Sequence, residues 1–176
     1  LKDGSFVYTA KEKLKRFYPG GKSWTLALPP GGEVWRILTT RRLDEVWVAR
    51  SDGRLDLLRL AEGALTTVRS LEAKGAFDIA SNDSELAILK LESTAPAGDG
   101  GVTRVWRLSV FDDAGKGKLA RELPFSLSEA ADESWVREVT KNRAVVLSSY
   151  GPHVAVGGAE EVTVFDYKTG DKLLGP

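Results

Sequence analysis

The sequence contains no cysteine and no methionine, and only one histidine, His153. Without cysteine there are no disulfides, no zinc–thiolate sites and no thiol nucleophile. With a single histidine, a zinc site would need three carboxylate ligands, an improbable set. No apolar run approaches the roughly 20 residues needed to cross a bilayer as a helix, so no membrane insertion of this segment is expected. The missing methionine extends to position 1, which leads us to expect a processed product or a piece of a longer protein. Leu1-Lys2-Asp3-Gly4 runs directly into a strand-like stretch, with no signal-peptide pattern ahead of it.

Charge of one sign is also lacking. Lys+Arg and Asp+Glu are equal at 25 each among 176 residues, so no long-range field would gather phosphates, and no nucleic-acid partner is expected. Apolar residues at 42% and charged residues at 28% are ordinary for a domain with a real core.

What the chain does have is short apolar alternation broken by Gly, Asp, Asn and Lys, the pattern of strands joined by turns. Pro29-Pro30-Gly31-Gly32 is a hard break, because proline cannot donate to a ladder. Ser51-Asp52-Gly53 is a hairpin signal. The pattern then recurs. Strand-like cores begin at Phe6, Val46 and Leu86, spaced by 40 residues, and at Val154 after a longer interval. Copies are expected over 5–28, 34–71, 76–124 and 144–174, with insertions at 92–101 and 125–142. The first insertion reads as a mobile loop by composition. In the second, Ser126-Leu127-Ser128-Glu129 has capping-box spacing, and a short helix over 128–139 competes with an irregular connection.

Four short strands in about 40 residues, repeated, predict an all-β fold of four-stranded antiparallel sheets stacked as β-propeller blades. About four blades are expected in one repeat domain, the first with only three strands, so that the ring is incomplete or part of a larger propeller. A β-sandwich is the competing fold, and the 40-residue repeat argues against it.

Val162-Thr163-Val164-Phe165-Asp166-Tyr167-Lys168-Thr169-Gly170-Asp171-Lys172-Leu173-Leu174 resembles the repeat of the PQQ-like and YVTN-type (WD40-like) propeller families. In those repeats a third strand ends in Asp, a Thr-Gly turn follows, and a Lys leads into the fourth strand. Phe111-Asp112-Asp113-Ala114-Gly115-Lys116-Gly117-Lys118-Leu119 is a looser version. Leu173-Leu174 stands where quinoprotein repeats often carry Trp, which argues against the quinone-binding branch. The resemblance implies a propeller and, as a guess, a periplasmic or extracellular location.

No Gly-x-Ser-x-Gly elbow, phosphate loop or dinucleotide fingerprint is present, so no catalytic, cofactor-binding or metal-binding residue is assigned and no cofactor is expected. His153 reads as structural. The paired acids Asp112-Asp113, Asp132-Glu133 and Glu160-Glu161 read as solvated turns, and Asn82-Asp83-Ser84-Glu85 as Asx-type turn chemistry rather than a calcium loop. Of the five tryptophans, 24, 35, 47 and 106 are expected in the packed core, and Trp135 falls in an insertion, where an exposed ring would anchor a partner. Pro96, Asp99, Trp135 and Arg137 are the expected partner-binding residues, because they sit in the two insertions. The expected function is a non-catalytic scaffold or protein-interaction domain. Its partner would be another protein or the remaining blades of a parent protein, with self-association through an open blade flank possible. The alternative is a fragment of a propeller enzyme, a quinoprotein-like dehydrogenase or hydrolase, with its catalytic residues elsewhere.

Overall fold

The computed structural model describes residues 4–40, 42, 44–82, 85–96, 102–112, 118–129, 144–148, 151–157 and 162–175. Among them every regular element is a strand, and all pairing is antiparallel. The chain divides into two compact units, residues 1–74 and 75–176.

The first unit holds two sheets. β1 (Phe6–Ala10), β2 (Lys13–Phe17) and β3 (Ser23–Ala27) form a three-stranded sheet in that order. β4 (Val34–Thr39), β5 (Glu45–Arg50), β6 (Arg54–Ala61) and β7 (Ala64–Glu72) form a four-stranded meander. Period-two alternation decides which side chains meet. Leu14 of β2, with Val7 and Trp24 beside it, packs on Val46, Val48, Leu58 and Leu60 of the second sheet. The turn between β5 and β6 follows from Ser51-Asp52-Gly53. Gly53 takes φ +85°, and a Cβ there would lie 2.8 Å from the Lys74 backbone, so only glycine fits. Asp52 closes the turn by accepting the Arg54 backbone N–H at 3.0 Å.

The second unit repeats the scheme. β8 (Ala76–Ser81), β9 (Glu85–Pro96), β10 (Val102–Asp112) and β11 (Lys118–Glu129) form one sheet, and β12 (Ala144–Leu147), β13 (His153–Gly157), β14 (Val162–Asp166) and β15 (Lys172–Leu174) the other. Ala87, Leu89, Trp106, Leu108 and Val110 pack against Val145, Leu147, Val154, Val156 and Phe165. Polar contacts also join these sheets. Asp78 accepts the Val145 backbone N–H at 2.8 Å, and the Asn82 amide donates to the Ser148 carbonyl at 2.7 Å. Asn82 also accepts the Glu85 N–H at 2.7 Å, so it forms an Asx-type turn while tying the next sheet to its own. Desolvation and a hydrogen bond to Glu85 push the Tyr167 phenol well above its ordinary range.

Three expectations need correction. Residues 93–96, read as loop from their polar composition, are strand: β9 continues to Pro96, opposite Val102. Likewise β11 does not stop near 124 but runs to Glu129, so Ser128 and Glu129 are strand where a helix was weighed; residues 130–139 of that stretch lie outside the described residues. The physical reason is partnership. β10 is long enough to pair residue by residue with both neighbours, and ladder hydrogen bonds carry segments whose own composition is neutral. Pro124 is tolerated because β11 is the edge of its sheet. The third correction is Trp35. It falls where the β4–β5 register shifts, between Val34 and Arg36, and that bulge turns it out of the core to 41% exposure.

Candidate functional site

The connection from β3 to β4 is the most elaborately held loop among the described residues. Pro29 and Pro30 have no N–H, so the loop presents mainly carbonyls, and two arginines meet them. Arg50, at the end of β5, is buried at 3% exposure. Its Nη2 donates to the Pro29 carbonyl at 3.0 Å and its Nη1 to the Gly32 carbonyl at 3.2 Å, while Nε donates to Asp56 at 3.0 Å. Arg54 donates to the Pro30 carbonyl at 3.1 Å and to Asp56 at 3.2 Å. The other oxygen of Asp56 accepts from Ser70 at 2.6 Å. The fully buried carboxylate of Asp56 is thus matched by two guanidinium groups and a hydroxyl, the condition under which a buried charge is tolerated.

Backbone bonds tether the same loop at both ends. Leu28 N–H reaches the Glu12 carbonyl at 2.8 Å, and Ser51 N–H reaches the Glu33 carbonyl at 2.8 Å. Asp52 accepts the Gly32 N–H at 2.9 Å. These two backbone donors, from Gly32 and then Arg54, hold the Asp52 carboxyl below the usual carboxylate range. A carboxylate lowered in the folded state adds stability that is present above its ordinary pKa of about 3.9 and is lost as pH falls through the folded value. Asp52→Asn is therefore expected to flatten the acid limb of a stability–pH curve below about pH 4. An unchanged limb in urea unfolding across that range would contradict it.

Gly32 sits against this turn so closely that a Cβ would lie 2.6 Å from Asp52 N and 2.7 Å from Ser51 Oγ. Gly32→Ala should move the loop and cost about 1–3 kcal/mol, read from the unfolding midpoint. A wild-type midpoint would show that the loop is slack.

The clamped loop walls a cleft of about 600 Å³, lined by Lys11, Glu12, Leu28, Pro30, Glu33 and Val34 among others. That volume lies within the range of small-ligand and peptide sites. Its lining mixes apolar side chains, Leu28, Pro30 and Val34, with charges of both signs on Lys11, Glu12 and Glu33. Lys11, at the β1–β2 turn, holds a left-handed backbone with φ 55°, the one positive-φ non-glycine residue among the described residues. Trp35 follows Val34 directly in sequence, exposed at the start of β4, an edge strand of its sheet. Sequence reading missed Trp35 because a bulge cannot be seen in apolar alternation. The cleft therefore gathers connections of two kinds: the crossover from the edge strand of one sheet to the edge strand of the next, and the ends of the β1 and β5 strands.

In the second unit the same two kinds of connection leave from one place. Pro96 at the end of β9, Val102 at the start of β10 and Glu129 at the end of β11 stand level in the register. β9 passes beyond its β8 partner at Lys90, and a register shift between Val105 and Trp106 re-aims the three-stranded arm there. Arg107 and Glu92 form an ion pair at that bend. Over residues 91–96 the arm extends about 20 Å. Pro96 is exposed at its tip. Asp99, Trp135 and Arg137, the other expected partner-binding residues, lie outside the described residues, on the segments 97–101 and 130–143 that follow the strand ends just named.

His153 opens β13 opposite Asp166. Asp166 accepts the Lys168 and Thr169 N–H groups at 2.8 and 3.1 Å, and these bonds, Thr169 first, lower its carboxyl, with a smaller contribution from His153. This Asp-x-x-Thr-Gly turn closes with Gly170 N–H on the Asp166 carbonyl at 2.7 Å and Gly170 at φ +90°. No group of three or more metal-ligating side chains occurs among the described residues.

Solved structures share the fold of antiparallel sheets. A chain of an S. cerevisiae assembly of Dbp5 bound to Nup159, Gle1, IP6 and ADP is similar over 96% of this chain, with TM-score 0.55 and 10% identity. A chain of the mitotic checkpoint complex is similar over 98%, with TM-score 0.50 and 12% identity. These sheets are β-propeller blades. The chain spans 44% and 60% of the lengths of those two neighbours. No family model and no curated protein sequence matches the chain.

Proposed function

We propose that this chain is a non-catalytic β-propeller platform that holds a protein partner at the loop end of its blades. The observation that carries the reading is a cleft whose wall is fixed by Arg50 and Arg54, with an exposed tryptophan, Trp35, next in sequence to its lining residue Val34. A rigid wall lowers the ordering cost of binding, and an exposed aromatic anchor supplies contact area. Lys11 and Glu33 in the lining fit a zwitterionic peptide surface better than a highly charged polymer. The arm ending at Pro96 offers a second contact at the equivalent connections of its own unit. Kinship with PQQ-like and YVTN-type repeats is part of the proposal, supported by the Asp166–Gly170 turn.

Photo-crosslinking tests it. A photoreactive residue at position 35, 11 or 96 should trap a discrete protein, and one at Thr66 on the outermost strand should not. Trp35→Ala should reduce crosslinking from position 11 at least tenfold. Equal trapping from Thr66, or no effect of Trp35→Ala, would refute the platform.

A further inference from the structure

The charges that line the cleft are unequally matched. Arg50 is one of them, but its guanidinium is committed to Asp56 and to the Pro29 and Gly32 carbonyls. Several acids of the first unit are likewise answered by donors: Asp44 and Glu45 by Arg42 and Arg59, Glu62 by Lys22, and Asp52 by two backbone N–H groups. Glu12 and Glu33 differ. Their backbone carbonyls receive the bonds that tether the loop, from Leu28 and Ser51 at 2.8 Å each. Among the described residues neither carboxylate has an ion pair or a hydrogen bond. The fold thus fixes the main chain of both acids and leaves both side-chain charges unanswered at the cleft. Lys11 adjoins Glu12 in the β1–β2 turn, yet forms no ion pair with it.

Leu28, Pro30 and Val34 supply the apolar part of the same lining. Carboxylates combined with apolar surface complement a residue built the same way, a methylene stem carrying a cation at its tip. A concave, partly apolar wall also strengthens the attraction between the charges relative to open water. We infer that the partner segment held at this cleft presents a lysine or arginine side chain, its stem against Leu28, Pro30 and Val34 and its charged head on the carboxylates of Glu12 and Glu33. The inference names the chemistry of the partner and rests on the platform reading of the same cleft. Lys11 then opposes the occupant and limits how much positive charge the cleft admits, which excludes a polybasic segment.

Titration of the isotope-labelled full chain, followed by nuclear magnetic resonance, tests it. The probes are acetylated and amidated peptides Gly-Ser-X-Ser-Gly, with X arginine, lysine, alanine or glutamate. The arginine and lysine peptides should shift the amides of Gly31, Gly32 and Glu33 saturably, with dissociation constants at least tenfold below those of the other two. Glu12→Gln and Glu33→Gln keep the backbone tethers and should each weaken the arginine peptide at least threefold, and Lys11→Gln should tighten it. Thermal unfolding checks that each variant is folded. Equal binding of the alanine or glutamate peptide would overturn the inference. So would the absence of any saturable shift up to millimolar arginine peptide, full affinity in both glutamine variants of the acids, or weaker binding in Lys11→Gln. The platform reading fails separately, when crosslinking from position 35 traps no protein. Trapping that persists in the Glu12→Gln, Glu33→Gln double variant keeps the platform and removes the basic partner.

Discussion

Arg50→Ala should lower the stability of the first unit by about 3–5 kcal/mol, the usual cost of breaking a buried ion pair from one side. The size follows from what the side chain holds. Its guanidinium is the partner of a carboxylate with no exposure, and it also satisfies the carbonyls of Pro29 and Gly32. Removing it leaves Asp56 with Arg54 and Ser70 alone and frees the loop that walls the cleft. At the few degrees per kcal/mol typical of chains this long, the melting temperature should fall by roughly 6–20 °C. Lysine at this position should rescue little, because a point charge cannot reach three acceptors in the plane of a fork. By contrast, Lys22→Ala should leave the midpoint unchanged. The Lys22–Glu62 pair is 2.9 Å long but exposed at 68% and 77%, where water and salt screen it. Equal effects of the two substitutions in denaturant unfolding would mean that the Arg50 cluster does not organise the loop.

Trp106→Ala should destabilise the second unit by about 3–5 kcal/mol, through lost burial and an unfilled cavity. Trp106 has no exposure and lies edge-on to Phe77, centroids 5.2 Å apart and planes at 84°, an aromatic geometry that adds to burial. It also stands at the register shift where the arm departs. The substitution should therefore weaken the near-ultraviolet dichroism of the packed aromatics together with the midpoint of unfolding. A loss below about 1 kcal/mol would show that the sheets of this unit close without it.

Both residues illustrate what alternation could reveal. Trp106 lies in a run, Val102 to Phe111, whose apolar alternation identifies a buried strand, and its burial was legible. Arg50 carries no such mark. It ends a strand, beside Ser51-Asp52-Gly53, and nothing in its local sequence sets it apart. Its burial follows from the approach of Pro29 and Gly32, which are distant in sequence and meet it only when the β3–β4 loop folds over the end of β5. Trp35 shows the opposite failure. Its alternation predicts core, and a one-residue bulge reverses it.

The sequence by itself determined most of the strands, their turns, the 40-residue recurrence and the three strands of the first copy, because those depend on local φ/ψ preferences and on a period of two. Tertiary structure alone decided where β9 and β11 end, which arginines are buried, and which sheet faces are sealed. Such properties belong to pairs of segments: a ladder extends as far as its partner does, and a charge is buried only where distant acceptors converge on it.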